Sequence, residues 1–467
     1  MPVPISRRTF LATSALAAGA YGTGLGLSAG RRALAATPAE LTAYSSEALL
    51  TGSAPTRGTM SYRLSEEASG VPPVLRMRKG EEFAARLINR LDEPTTVHWH
   101  GLRIANAMDG VPEMTQPYVY PGDSFEYRFV PPDAGTFWYH PHCNTLTQMG
   151  HGLTGVIVVE NPDDPVFDAE VVLNMRDWRL GSDGQFIAPF KPRDAARGGT
   201  YGTVKTANWL EGPVYDVPAG GLVRLRLAAT DVTRIYTIGL EGAAATVIAI
   251  DGNPVVAPFP LGRYDIGPGQ RLDLVVRVSD SEGTEATLGN FRGTTPWTIA
   301  RLRATGTSLK RDLRDVKALP ANPVAEADLS SAVTIPLEFT ATAEHAAKPN
   351  LCGTLGYTFW AINKVAWSGD TPDPVAPLAD LKLGKSYILQ VKNRTPHAHP
   401  VHLHGLSFRI LRSNKREMTG QLTDTILLSP DEVAELAFVA DNPGDWMLHC
   451  HIIEHQKTGM SSFVRVS

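Results

Sequence analysis

The chain has 467 residues, a length that fits two to four domains better than one core. Its 43% hydrophobic content, with 35 prolines and 42 glycines, points to a turn-rich, mostly β protein. Setting aside four arginines of an N-terminal leader, 40 basic side chains face 48 acidic ones, which argues against a nucleic-acid or anionic-membrane surface.

The leader comes first. Ser6-Arg7-Arg8-Thr9-Phe10-Leu11 reads as a twin-arginine signal, and Ala33-Leu34-Ala35 offers small residues for cleavage. The Ala/Gly/Leu stretch between them is too poor in large apolar side chains to span a membrane. Residues 1–35 are therefore read as a signal peptide outside the fold. The mature chain is expected to have no membrane span and to be exported already folded, by the twin-arginine translocation machinery, to the periplasm or beyond.

The rest of the chain repeats itself. Lys79-Gly80, Ala219-Gly220 and Leu383-Gly384 each lead into an alternating strand, and Pro121-Gly122, Pro268-Gly269 and Pro430-Asp431 each lead into a second. The glycine-led copies are spaced by 140 and 164 residues, the proline-led ones by 147 and 162. Three β-sandwich domains follow, at residues 36–163, 164–320 and 321–467.

Thirteen histidines occur, and they pair. His98/His100, His140/His142, His397/His399, His402/His404 and His449/His451 are all His-x-His, far more than random placement would give. His98 and His402 each follow their glycine by eighteen residues; His140 and His449 each follow their proline by nineteen. The middle copy has Ile238, Leu240, Thr287 and Gly289 at the matching positions. Eight imidazoles from the outer copies are too many for one metal and suit three coppers between domains 1 and 3. His151 and His345 are read as structural, and His397 as a loop residue near the site. Cys143 and Cys352 are left open, as a disulfide or as two buried thiols.

The last twenty residues carry the sharpest signal. His449-Cys450-His451, His455 and Met460 supply the thiolate, imidazole and thioether of a blue-copper centre. In an extended segment Cys450 faces one way and its two neighbours the other, toward a second metal site. That arrangement suits an oxidase better than an electron shuttle. Domain 1 has Thr95, Pro141, Leu146 and His151 where domain 3 has His399, Cys450, His455 and Met460, so no second blue site is expected.

These motifs resemble the multicopper oxidase family, which includes laccases and cuprous oxidases. The likeness rests on His98-Trp-His-Gly101, Trp138-Tyr-His-Pro-His142, His399-Pro-Val-His-Leu-His-Gly405 and His449-Cys-His-Ile-Ile-Glu-His455 with Gly459-Met460. It implies three tandem cupredoxin-like Greek-key sandwiches and four coppers. His399, Cys450, His455 and Met460 would bind type 1 copper; His98 and His402, type 2; His100, His140, His142, His404, His449 and His451, the type 3 pair. With Cys450 and His455 as catalytic residues, the type 1 copper would take electrons one at a time from a reductant. Cys450 and its flanking histidines would pass four of them to the cluster, where O2 would be reduced to water. Asp109, eleven residues past His98, matches the family's acid beside the cluster and is assigned as proton donor and anchor; the alternative is a turn aspartate in Met108-Asp109-Gly110. Relatives commonly place a second acid where this chain has Gln456, and strand alternation would turn nearby Glu454 elsewhere.

An axial Met460 favours easily oxidised reductants such as methoxyphenols, aminophenols or low-valent metal ions. A laccase-like oxidase of small phenolic or similar aromatic substrates is the leading expectation. The runner-up is a cuprous-ion oxidase, weakened because no methionine lies between Met175 and Met418. A non-catalytic copper-binding envelope protein and a copper nitrite reductase are both disfavoured by the complete ligand set. Three complete domains suit a monomer.

Overall fold

The computed structural model describes residues 37–52, 54–66, 70–341, 355–369, 376–417 and 420–467. The leader, His345 and Cys352 lie outside these residues.

Six sheets pair into three sandwiches in chain order, and each sandwich encloses its own apolar core. The repeat markers are structurally equivalent. In each sandwich the glycine-led strand pairs parallel with an earlier strand and antiparallel with the proline-led one. Phe83–Arg90 thus lies between Ala39–Ala48 and Ser124–Phe129. Leu222–Ala229 lies between Ala169–Trp178 and Arg271–Arg277, and Ser386–Asn393 between Val333–Thr340 and Val433–Val439. Neighbours drawn from distant chain positions are the mark of Greek-key connection.

The second sheet of each outer sandwich carries the histidines. Strand His98–His100 pairs with Gly135–His140, setting His98 opposite His140. Strand His399–Leu403 pairs with Gly444–Cys450, setting His402 opposite His449. In the middle sandwich Ile238 lies opposite Asn290, not Thr287 as simple spacing predicts. The connection at 278–284 is longer than those at 130–134 and 440–443, which moves the equivalent position three residues along.

The sandwiches meet around the histidine strands. Trp138 and Leu146 of the first, Val232 of the second and Ile453 of the third form one buried cluster. Val111 of the first packs with Trp367, Met447 and Phe463 of the third. No helix among the described residues is long and apolar enough to cross a membrane.

Candidate metal centre

Strand alternation sorts the side chains. Trp99 enters the core of the first sandwich, so His98 and His100 emerge together on the opposite face. On strand Gly444–Cys450 the same rule separates Cys450 from His449, and the chain bends at His451 into helix Ile453–Lys457. The result is two clusters joined by one peptide segment.

In the larger cluster the two outer sandwiches interlock about a pseudo-two-fold axis. His98 stacks on His404 with ring centroids 3.9 Å apart, and His402 stacks on His100 at 3.7 Å. Each stacked pair has its own buried carboxylate. Asp109 lies 3.2 Å from His98 Nδ1 and 2.8 Å from His404 Nδ1. Asp424 lies 3.3 Å from His402 Nδ1 and 3.4 Å from His100 Nε2. Gly110 makes the first of these arrangements reachable: its φ is +86°, and a Cβ there would lie 1.9 Å from the Val97 carbonyl oxygen.

The ring nitrogens turned away from these anchors converge. Ligand atoms of His142, His404 and His449 lie within 4.8 Å of one another, as do those of His98, His100 and His140 and those of His98, His402 and His404. His451 completes the set, its ring 4.9 Å from His100 and 5.3 Å from His140. His98 Nε2, His100 Nδ1, His140 Nε2 and His402 Nε2, and both ring nitrogens of His142 and His451, are buried without a protein partner. So many orphaned nitrogens would be costly unless metal ions satisfied them. Burial and neighbouring imidazoles hold His100, His140, His142, His449 and His451 far below the usual histidine range, leaving the neutral rings that ligation requires.

The smaller cluster is a thiol between two rings. Cys450 Sγ is 3.6 Å from His399 Nδ1 and 3.6 Å from His455 Nδ1, and the two nitrogens are 3.0 Å apart. Each ring is fixed from behind: His399 Nε2 sits 2.7 Å from Thr395 Oγ1, and His455 Nε2 donates to the Arg197 carbonyl at 2.8 Å. Met460 is fully buried beside them, its backbone carbonyl accepting from Cys450 N–H. Burial pushes the Cys450 thiol well up, so a bound cation is what would make it a thiolate here. Thiolate with two imidazoles, beside a cage of imidazoles alone, is a donor set suited to copper.

The middle sandwich covers the smaller cluster. Trp360 Nε1 donates to Ala195 O at 2.8 Å, and Thr200 N–H donates to Glu454 Oε2 at 2.7 Å. Glu454 does not follow strand alternation, because it lies on helix Ile453–Lys457; burial raises its carboxyl to about 7. Gln456 is buried with its Oε1 unpartnered. His397 lies outside the metal-ready groups, its ring 6.0 Å from Trp360. His151 is stacked on Phe186 at 3.8 Å, away from the histidine cage. Cys143 is disulfide-bonded, Cys450 is free, and Cys352 lies outside the described residues.

Sequence reasoning missed Asp424, Thr395 and Arg197. Pseudo-symmetry could have found the first: Asp109 serves one stacked pair, and Glu417 and Asp424 are the only acids between His404 and Pro430. Thr395 and Arg197 reach the site through loop geometry that no motif encodes.

Three tandem cupredoxin-like sandwiches with a thiolate site wired to a histidine cage define a copper-dependent oxidoreductase that uses O2. Family models described as multicopper oxidase match residues 66–164, 188–285 and 339–467. A multicopper oxidase of Mycobacterium tuberculosis, MmcO, is 30% identical, over 84% of this chain and 80% of that protein. Laccase-1 of Fomitopsis schrenkii is 28% identical, over 83% of this chain and 80% of its own. The crystal structure of a multi-copper oxidase from Pseudomonas thermotolerans superposes with a TM-score of 0.83 at 38% identity, covering 93% of this chain and all of that one. The chain belongs to the multicopper oxidase family.

Proposed function

We propose that the protein is a laccase-like oxidase holding four coppers. His399, Cys450, His455 and Met460 would hold type 1 copper, and His98 and His402 type 2. His100, His140 and His451 would hold one type 3 copper; His142, His404 and His449 the other. Residues 36–163 and 321–467 would each supply half of the cage, with 164–320 free of metal. When bound, copper would supply one-electron oxidation of an external reductant and four-electron reduction of O2 to water.

One observation carries this reading: the register that sets Val401 opposite Cys450 also sets His402 opposite His449. One strand therefore spans both clusters, and Cys450 is bonded through the backbone to a cage histidine on each side. Asp109 orients His98 and His404 through their Nδ1 atoms, leaving the opposite nitrogens for metal. Burial alone would raise its carboxyl, but the His404 and His98 imidazoles outweigh that and hold it well below the usual range. Its contacts with both Nδ1 atoms support the anchoring role.

A second reading, oxidation of cuprous ion, is favoured by the cover over His455. The Arg197 carbonyl occupies its Nε2, which keeps an aromatic ring from direct contact there. The twin-arginine leader supports export of the folded monomer to the periplasm or medium.

The test is O2 uptake by the copper-loaded protein with a methoxyphenol, with and without added Cu(II), and with Cu(I) as competing reductant. Strong phenol turnover without added copper supports the laccase reading. Turnover restricted to Cu(I), or phenol oxidation only with added copper, overturns it in favour of the metallo-oxidase.

A further inference from the structure

The two carboxylates of the cage are held differently. Asp109 has ion pairs, among the described residues, only to His98 and His404. Asp424 is gripped from behind by Arg271 of the middle sandwich. Arg271 Nη1 donates to Asp424 Oδ1 at 2.9 Å and Nη2 to Oδ2 at 2.5 Å, with both residues fully buried. Such a two-pronged pair fixes the plane of the carboxylate as well as its position.

Arg271 is itself locked. Its Nε donates to Thr136 O at 3.2 Å, its Nη1 to Gly269 O at 2.9 Å, and its backbone N–H to Asp251 Oδ1 at 2.7 Å. Asp251 also accepts from Thr423 Oγ1. From the first sandwich, Gly101 closes over the pair. A Cβ there would stand 2.5 Å from Arg271 Nη2 and 2.7 Å from Asp424 Oδ2, and its φ of +88° also favours glycine. All three sandwiches therefore meet at this one ion pair.

The fixed carboxylate sets which ring nitrogens face the cage. Asp424 Oδ1 lies beside His100 Nε2 and His402 Nδ1, and Thr425 Oγ1 stands 3.4 and 3.1 Å from the same two atoms. His100 Nδ1 and His402 Nε2 are left unpartnered toward the cage. We propose that Arg271, from the sandwich that lacks metal-ligand motifs, is a positioning residue for the trinuclear centre. Through its fork on Asp424 it orients His100 and His402 for metal. This inference rests on the copper-cage reading above.

The test compares copper-loaded wild type with Arg271→Met, Arg271→Lys, Asp424→Asn and the Arg271→Met/Asp424→Asn pair. The readouts are copper per chain, the type 2 electron paramagnetic resonance signal, the type 1 absorbance and thermal stability. Arg271 makes no hydrogen bond to Cys450, His399 or His455, so the type 1 absorbance is expected to persist. Arg271→Met should lose or distort the type 2 signal, and affinity for that copper should fall about 10–100-fold. Arg271→Lys keeps the charge without the fork and should show the same defect more weakly, which covers the case in which Arg271→Met does not fold. Because Arg271 acts through Asp424, its removal should add little in the Asp424→Asn background. A wild-type type 2 signal that survives unchanged in Arg271→Lys overturns the inference alone, as does an equal loss in both backgrounds. Wild-type protein that takes up copper without any type 2 signal overturns the cage reading as well.

Discussion

The outer sandwiches share the strand pair that carries their inner histidines, yet the side chains at their far ends differ. Beyond His449 the third sandwich has Cys450 between His399 and His455; beyond His140 the first has Pro141, and a short helix, Thr145–Gly150, like the helix Ile453–Lys457. At the position of His399 stands Thr95, which donates to Gln148 Oε1 at 2.8 Å and has no metal-ready partner. The middle sandwich covers both ends, with Phe186 stacked on His151 at one and Arg197 on His455 at the other. The fold therefore supplies the same platform twice, and a handful of side chains decides whether it becomes a thiolate site or ordinary core.

Replacing the thiol should break the contrast most completely. Cys450→Ser is nearly isosteric but removes the soft ligand. Absorption spectroscopy should show the blue band gone and O2 uptake at background, while the cage retains its copper because His449 and His451 are untouched. Thr395→Ala should act less strongly. It removes the group behind His399 Nε2, with an expected 10–100-fold loss of affinity for type 1 copper, read by competition with a chelator. A copper-loaded Thr395→Ala protein indistinguishable from wild type would mean that packing alone fixes that ring.

The cover over His455 gives a third contrast. Replacing residues 192–199 by a short glycine linker should expose His455 Nε2 and raise kcat/KM for a bulky phenol on the order of tenfold, equal to about 1.4 kcal/mol of barrier. Oxidation of a reductant that donates its electron without contact should change far less. If both rise together, the segment slows electron entry in general and does not select by size.

How much of this could be read from the sequence depends on how far each determinant lies along the chain. The sandwiches and histidine pairs follow from local periodicity and fixed spacing, because strand register transmits both directly. The spacing rule misplaced the middle copy at Thr287, since a few extra residues in one connection leave a sandwich intact but shift its numbering. Glu454 lies on a helix that no capping residue announces at Ile453, so strand alternation does not describe it. Asp424 stands behind histidines on another strand, and Arg271 reaches it from another sandwich 153 residues away. Such contacts arise from packing between domains, which no local pattern records.

The smallest effect belongs to the end without a thiol. Thr95→Val keeps the shape of the side chain but removes the hydroxyl that donates to Gln148 Oε1. Gln148 Nε2 would keep its bonds to Glu93 and to Pro94 O, so the amide should stay in place with one acceptor unpaired. An unpaired buried acceptor costs about 1–3 kcal/mol, so denaturant unfolding should shift measurably. Copper content, the type 1 band and O2 uptake should not move, because Thr95 occupies the place of a ligand without serving as one. A change in type 1 absorbance on Thr95→Val would show that the two ends are coupled through the interface, and that the likeness between them is mechanical as well as geometric.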